Sequence, residues 1–250
     1  MLQVLKRRLS NGAFLTTPLS IITNPVYIMR SGLLKAVKEL APSIKGEVMD
    51  LGCGSKPYAS LFTAATRYVG VDIEASGHDH KTSKVDVFYD GRTLPFPDAH
   101  FDAVVTFEVL EHVFNLDEVL AEILRVLKPG GLLLVSIPFA WDEHEKPYDF
   151  ARYTSFGIRH VLQKAGLEVV ELRKCGTYFL AICQMFIAYL IQHVFPQGRL
   201  PRRIMQILFV FPLTALSLVL DRILPRRDEY FCNTVVLSRK IDSVRDSAGR

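Results

Sequence analysis

Residues 46–54, Gly-Glu-Val-Met-Asp-Leu-Gly-Cys-Gly, pass from a short apolar run through an acid into two alternate glycines. That pattern is the first strand of an α/β fold ending in a ligand-binding turn. Lacking Cβ, Gly52 and Gly54 are free to take positive φ and to admit a ligand to van der Waals contact. A dinucleotide turn would carry a third glycine at position 57, where helix and strand pack beneath a pyrophosphate. This chain has Pro57 there. Ser55-Lys56-Pro57 reads instead as an N-cap followed by a proline in the first helical turn, so the turn suits a ligand without a pyrophosphate. An ordinary strand-to-helix turn is the alternative.

Apolar strand-like runs alternate with helical patterns along the chain, the signature of a mostly parallel sheet covered on both faces. Strands are expected near 47–51, 68–72, 84–88, 101–107, 131–137, 167–173 and 231–238, and helices near 31–41, 57–65, 115–127 and 154–165. Asn115 stands as the N-cap of the third helix. Leu116, Val119, Leu120, Ile123, Leu124 and Leu127 then recur at helical spacing until Pro129-Gly130-Gly131 stops it. The chain's 250 residues are enough to bury a full core. Its net charge of +4 is modest and its basic residues are not massed along an aromatic-studded stretch, which argues against a nucleic-acid partner. Cys53, Cys175, Cys183 and Cys232 make no C-x-x-C pair and sit mainly in apolar segments, favouring reduced thiols in the cytoplasm over disulfides or zinc. Lys6, Arg7 and Arg8 are followed by Leu9-Ser10-Asn11-Gly12, which interrupts any apolar signal core.

An acid, Asp72, ends the second strand some twenty residues past the glycine turn, where nucleoside sites place a carboxylate for ribose hydroxyls. Next come Asp90, Leu94-Pro95-Phe96, Phe101-Asp102, Glu108-Val109-Leu110-Glu111-His112-Val113 and Leu127-Lys128-Pro129-Gly130-Gly131. In this order the motifs resemble the class I S-adenosylmethionine-dependent methyltransferases, and within them the bacterial small-molecule (type 11) family, over residues 45–175 with the final strand extending to about 239. The resemblance implies a Rossmann-like, seven-stranded, mostly parallel sheet with an antiparallel last strand and helices on both faces. It implies S-adenosylmethionine as cofactor. Asp50, Gly52 and Gly54 would lie at the methionine portion, Asp72 at the ribose, Asp90 and Leu94 beside the adenine, and Glu108 beside the cofactor at the end of the fourth strand. Lys56 stands where the family often has a glycine; either it or the helix N-terminus behind it is expected to face the methionine carboxylate.

Methyl transfer from an activated sulfonium asks chiefly for alignment and exclusion of water, with a base needed only for a protonated acceptor. The stretch after the fifth strand, residues 138–154, supplies candidates in the loop position where open α/β sheets bind ligands. It resembles a subset of bacterial methyltransferases with H-E-x-P-Y-D-F-x-R-Y-T. His144 is the expected base. His112, Trp141, Tyr148, Arg152 and Tyr153 are the expected acceptor-side residues. The competing reading has Tyr148, Asp149, Arg152 and Tyr153 simply locking the loop and capping the next helix. No metal ligand set is expected.

Between the last two strands lie two apolar runs, 178–195 and Ile204–Leu220, the second interrupted by Pro212. Each is near the lower limit of about 17 residues for a membrane span. Two spans would place Arg199, Arg202 and Arg203 in a translocated loop, against the usual bias. The segment is therefore read as a helical hairpin at the inner membrane leaflet, making peripheral contact through residues 178–224, with these arginines and Arg222, Arg226 and Arg227 near anionic headgroups. A soluble cap or a homodimer interface is the alternative. The expected organisation is an N-terminal basic and apolar segment (1–30), a methyltransferase domain (31–176 and 228–240), a hydrophobic insertion (177–227) and an unstructured tail (241–250). The expected function is methylation, at oxygen, of a small or lipid-linked acceptor at the membrane surface. The rivals are a catalytically silent membrane-associated assembly protein, and a nicotinamide oxidoreductase, which Pro57 and the terminal strand disfavour.

Overall fold

The computed structural model describes residues 14–74 and 83–241. Lys6 to Gly12 and all but Ile241 of the expected tail lie outside the described residues. Seven strands form one sheet in the order β3-β2-β1-β4-β5-β7-β6, with β1 Gly46–Leu51, β2 Ala65–Ile73, β3 Val87–Tyr89, β4 Phe101–Phe107, β5 Leu127–Pro138, β6 Leu167–Cys175 and β7 Asn233–Lys240. The strands from β3 to β5 are parallel. β7 is antiparallel to its neighbours, as bonds from Cys232 N to Cys175 O and from Ile241 N to Gly166 O show at opposite ends of β6. Strand order reverses between β1 and β4. Crevices at such a switch point, outside the carboxyl ends of the strands, are where open α/β sheets bind ligands.

The sheet core is built from inward residues of these strands with two helices. Val119, Leu120, Ile123 and Val126 of the helix Leu116–Val126, and Ile158 and Leu162 of the helix Ser155–Lys164, are buried with Met49, Val71, Val104, Leu133 and Val135. Asp117 and Glu118 in the first turn of the former, and Arg125 in its last, complement the helix dipole. Thr154 caps the latter, its Oγ1 accepting from Gly157 N at 3.0 Å.

Three local expectations change, and the role of Phe101-Asp102 becomes visible. Asn115 occupies the cap position without capping; its side-chain amide donates to Glu118 at 2.8 Å and to the Gly91 carbonyl. Leu127 to Gly131 do not follow the helix as a stop but begin β5, where Phe101 pairs with Leu127 and Ala103 with Leu132, a bulge in which a Cβ on Gly131 would fall 2.8 Å from the Lys128 carbonyl. No helix forms over 57–65. A single 3₁₀ turn, Ala59–Leu61, replaces it, because β2 already begins at Ala65 and the buried rings of Tyr58 and Phe62 are held by Phe107, Tyr58 edge-on at a centroid distance of 4.9 Å. Phe101-Asp102 proves to be a splice at the amino end of the sheet: Asp102 accepts from Glu47 N and Lys128 Nζ, both at 2.8 Å.

The chain divides into two compact units. One comprises the described residues of Lys38–Pro138, Asp142–Arg173 and Thr234–Arg250 and holds most of the sheet. The other comprises those of Met1–Val37 with Phe139–Trp141 and Lys174–Asn233. The second unit is wider than an insertion at 177–227, because Met29 and Trp141 pack with Ala181 and Cys232. Gln184, fully buried, ties it further by accepting from Met29 N and donating to the Pro25 carbonyl.

In this unit Tyr178–Tyr189 continues as a π-helical turn to Val194. Pro212 does not interrupt the second apolar run. Arg199 to Leu220 is one continuous helix with a π-helical turn at Gln206–Val210 just before the proline. Widening the ladder there removes the clash that a proline ring makes with the preceding turn. This helix is long and apolar enough, by length and composition, to cross a membrane; its most apolar stretch has mean hydropathy 1.9 and is only 17% buried.

Candidate active site

The carboxyl ends of β1, β2, β4 and β5 carry the residues that the motifs single out. After β1, Gly52 has φ +71° and Gly54 φ +45°. A Cβ at Gly52 would lie 2.3 Å from Val109 Cγ2, so the glycine lets the first turn nest against the segment after β4. A Cβ at Gly54 would meet nothing within 4 Å; this side of the turn faces open space. Asp72 ends β2, its Oδ2 accepting from Gly54 N at 3.1 Å and its Oδ1 from Ile73 N at 2.9 Å. Beyond the ends of β2 and β3 a cleft of 480 Å³ is lined by Ile73, Glu74, Phe88, Tyr89, Asp90 and Gly91, a size within the range of about 300–1,000 Å³ usual for small-molecule sites. Asp90 accepts from the amides of Arg92 and Thr93, which hold its carboxyl below the usual range.

Two residues sit behind this surface. Asp50 is buried, takes the Tyr68 hydroxyl at 2.7 Å, and is driven by burial up to about 7. Leu94 is buried too, and its loop is held by a pair that the sequence reading passed over. Glu122 accepts from Leu94 N, while Arg125 donates to the Leu94 and Phe96 carbonyls and to Glu122. Their i,i+3 spacing on a predicted helix was the available signal. Lys56 departs from its expected role. It adopts φ +54°, lays its stem across Gly70 and pairs with Asp86, so its charge is spent between β2 and the segment before β3 rather than at the glycine turn.

Glu108, directly after β4, also adopts a left-handed φ of +55°, a conformation that costs a non-glycine residue on the order of 1 kcal/mol. Ser136 of β5 fixes it, donating to Glu108 Oε1 at 2.7 Å. Three residues on, Glu111 has a fully buried side chain with neither carboxylate oxygen hydrogen-bonded. Burial first, and the nearby Glu108 charge second, raise its carboxyl well above the usual range.

His112 and His144 meet edge to face, with ring centroids 4.7 Å apart. His112 Nδ1 lies 2.6 Å from the Tyr148 carbonyl. His144 Nδ1 lies 3.2 Å from Asp149 Oδ2, and its backbone amide donates to the same oxygen at 2.9 Å. Arg152 grips Asp149 with both arms, at 2.5 and 2.6 Å, and donates to the Asp142 and Ala151 carbonyls. Burial opposes ionisation of Asp149, but the Arg152 guanidinium and the His144 amide outweigh it and hold the carboxyl down at about 2. The loop is thus a rigid frame around an Asp–His pair. Phe150 N also bonds the Glu111 carbonyl at 2.8 Å, joining it to the segment after β4.

Of the expected acceptor-side residues, His112 and Arg152 contact His144, and Tyr148 joins them through its carbonyl at His112. Tyr153 packs into the sheet core, because its ring follows the helix cap inward. Trp141 lies in the other unit, in the apolar cluster with Met29, Ala181 and Cys232. Both change from the sequence expectation: an aromatic beside polar residues in the sequence was here recruited to packing.

Residues 27–172 match the family model of a methyltransferase domain. A probable S-adenosylmethionine-dependent methyltransferase of Mycolicibacterium smegmatis is 32% identical over 136 residues, covering 50% of this chain and 53% of the relative. A ubiquinone/menaquinone biosynthesis C-methyltransferase of Burkholderia mallei is 32% identical over 117 residues, 42% of this chain and 48% of the relative. The chain spans about half the length of these curated relatives. A putative methyltransferase of Bacillus halodurans has the same fold, with a TM-score of 0.51 at 18% identity over 84% of this chain and 99% of that one.

Proposed function

We propose a reaction for this chain, which belongs to the methyltransferase domain family: it transfers a methyl group from S-adenosylmethionine to an oxygen of a small or lipid-linked acceptor. The cofactor of the relatives that it matches is S-adenosylmethionine. The residues present fit that group. Gly54 opens onto unfilled space, Asp72 stands at the adjoining strand end, and a cleft with apolar and acidic walls continues past it. Asp72 would hold the ribose hydroxyls, Gly52 and Gly54 would border the methionine portion, Asp90 and Leu94 the adenine, and Glu108 the side facing β4.

When bound, the cofactor supplies an activated methyl on a sulfonium. The acceptor oxygen attacks the methyl carbon as the carbon–sulfur bond breaks, and the electron pair stays on sulfur. What remains for the protein is the acceptor's proton. Asp149 and the Asp142 carbonyl face His144 Nδ1, which puts the hydrogen on that nitrogen and leaves Nε2 bare to receive the hydroxyl proton. The Asp149–His144 pair is the observation that carries the reading, because it suits an acceptor that must lose a proton, as a hydroxyl does, and a nucleophile without a proton would have no use for it.

Support for a lipid-linked acceptor comes from the second unit and from one relative. Leu200, Ile204, Ile207, Leu208, Phe209, Leu216 and Val219 stand exposed along the Arg199–Leu220 helix, with Arg199, Arg202 and Arg203 at its start and Arg222, Arg226 and Arg227 beyond its end. Apolar side chains bracketed by arginines suit an anionic membrane surface. The B. mallei relative is named for the biosynthesis of ubiquinone and menaquinone, which are lipid-soluble quinones. The test supplies the protein with methyl-labelled S-adenosylmethionine and anionic phospholipid vesicles carrying a lipid extract. The protein should sediment with the vesicles and the label should enter the organic phase. Label confined to water-soluble products, with protein left in the supernatant, contradicts the lipid-linked reading.

A further inference from the structure

We infer that Glu111, His112 and His144 form a binding site for one divalent transition-metal ion. One ligand atom from each lies within 4.8 Å of the others. Their hydrogen-bond partners decide what those atoms offer. The Tyr148 carbonyl 2.6 Å from His112 Nδ1 accepts only, so the ring hydrogen is on Nδ1 and Nε2 carries a lone pair. That Nε2 is buried with no hydrogen-bond partner, 3.7 Å from Glu111 Oε1 and 3.8 Å from Glu145 Oε2. At His144 Nδ1 the neighbours are two acceptors, Asp149 Oδ2 and the Asp142 carbonyl, and one donor, Arg152 Nη2 at 3.3 Å, which is already bonded to both of those acceptors. The hydrogen again belongs on Nδ1, leaving Nε2 bare.

Three groups that carry lone pairs therefore lie together, His112 Nε2 beside Glu111, and Glu111, fully buried, has no donor on either oxygen. Such an arrangement is costly unless something positive lies between them. The second layer is what a metal requires: each imidazole is oriented through its far nitrogen by a carbonyl or a carboxylate. Two imidazoles and one carboxylate suit a borderline ion such as Zn²⁺ or Fe²⁺ rather than Ca²⁺ or Mg²⁺. Across a tetrahedral zinc with bonds of about 2.0 Å, ligand atoms stand about 3.3 Å apart, so closure by about 1.5 Å is required. Three protein ligands leave a position for an oxygen of the acceptor.

This deepens the methyl-transfer reading and rests on it for its chemical consequence, though not for metal binding itself. With the ion in place, His144 Nε2 would be a ligand instead of the base, and the acceptor hydroxyl would lose its proton to water because the ion lowers its pKa. The competing occupant is a proton shared among Glu111 and the imidazoles.

The test uses the full chain stripped with a chelator, titrated calorimetrically with ZnCl₂ in the absence of S-adenosylmethionine, and with Co²⁺ followed by visible absorption. One ion per chain should bind, and the cobalt form should show the absorption of a low-symmetry site. Glu111→Gln and His112→Ala should each weaken zinc binding by at least the tenfold to hundredfold, roughly, that loss of even a supporting group costs. Because Glu111 is buried and its substitution also perturbs packing, His144→Ala, at a partly exposed position, is measured alongside and should show the same loss. Failure of stripped protein to bind zinc or cobalt, or zinc affinity unchanged in His144→Ala, overturns the site. S-adenosylmethionine titrated into the same samples separates the two readings, since its binding does not require the ion.

Discussion

Replacing Asp72 with Ala should weaken S-adenosylmethionine binding by about a hundredfold or more. The carboxylate ends β2 beside the glycine turn, and two hydrogen bonds from ribose hydroxyls to a charged acceptor contribute about 1.5–3 kcal/mol each, where 1.4 kcal/mol is a factor of about ten. Its present bonds to the amides of Gly54 and Ile73 use one lone pair on each oxygen, leaving the others for a ligand. The same bonds hold the turn's shape, so Asp72→Asn is the instructive companion: it keeps the size of the side chain and one acceptor, and should fall between wild type and alanine. Calorimetry measures all three. Equal affinity in Asp72→Ala and wild type would remove Asp72 from the cofactor site.

His144→Ala should lower turnover by about 10²–10⁴-fold while leaving cofactor affinity unchanged. The imidazole touches Asp149, Arg152 and His112, whereas the glycine turn and Asp72 lie on other strand ends. Asp149→Asn should also lower turnover, by a smaller factor, because it disturbs both the tautomer of His144 and the Arg152 clamp. Turnover is read as label entering the lipid extract. If His144→Ala keeps wild-type turnover, the residue neither takes the proton nor holds an ion that acidifies the acceptor hydroxyl.

Much of the catalytic unit was legible in sequence because its signals are local. A strand that ends in Asp-Leu-Gly-Cys-Gly declares its turn, an acid at the next strand end declares itself by spacing, and the stripe Val119, Leu120, Ile123 declares a helix face. What failed to show depends on distant partners. Lys56 looks available for an anion until Gly70 and Asp86, from other segments, claim its stem and charge. Pro129-Gly130-Gly131 reads as a stop, yet β4 draws it into a bulged strand. Pro212 reads as a break, yet a π-helical turn absorbs it. Trp141 and Tyr153 carry no local sign of the apolar clusters that take them. Glu111 is the sharpest case. Within Glu-Val-Leu-Glu-His-Val it resembles any helical-turn acid, and only burial without a donor, beside His112 and His144, singles it out.

The most direct measurement is calorimetric titration of the purified full chain with S-adenosylmethionine, its demethylated product and NAD. One molecule of S-adenosylmethionine should bind per chain, the demethylated product should compete for the same site, and NAD should not bind. Absence of binding by the first two, or saturable binding of NAD in their place, would contradict the account.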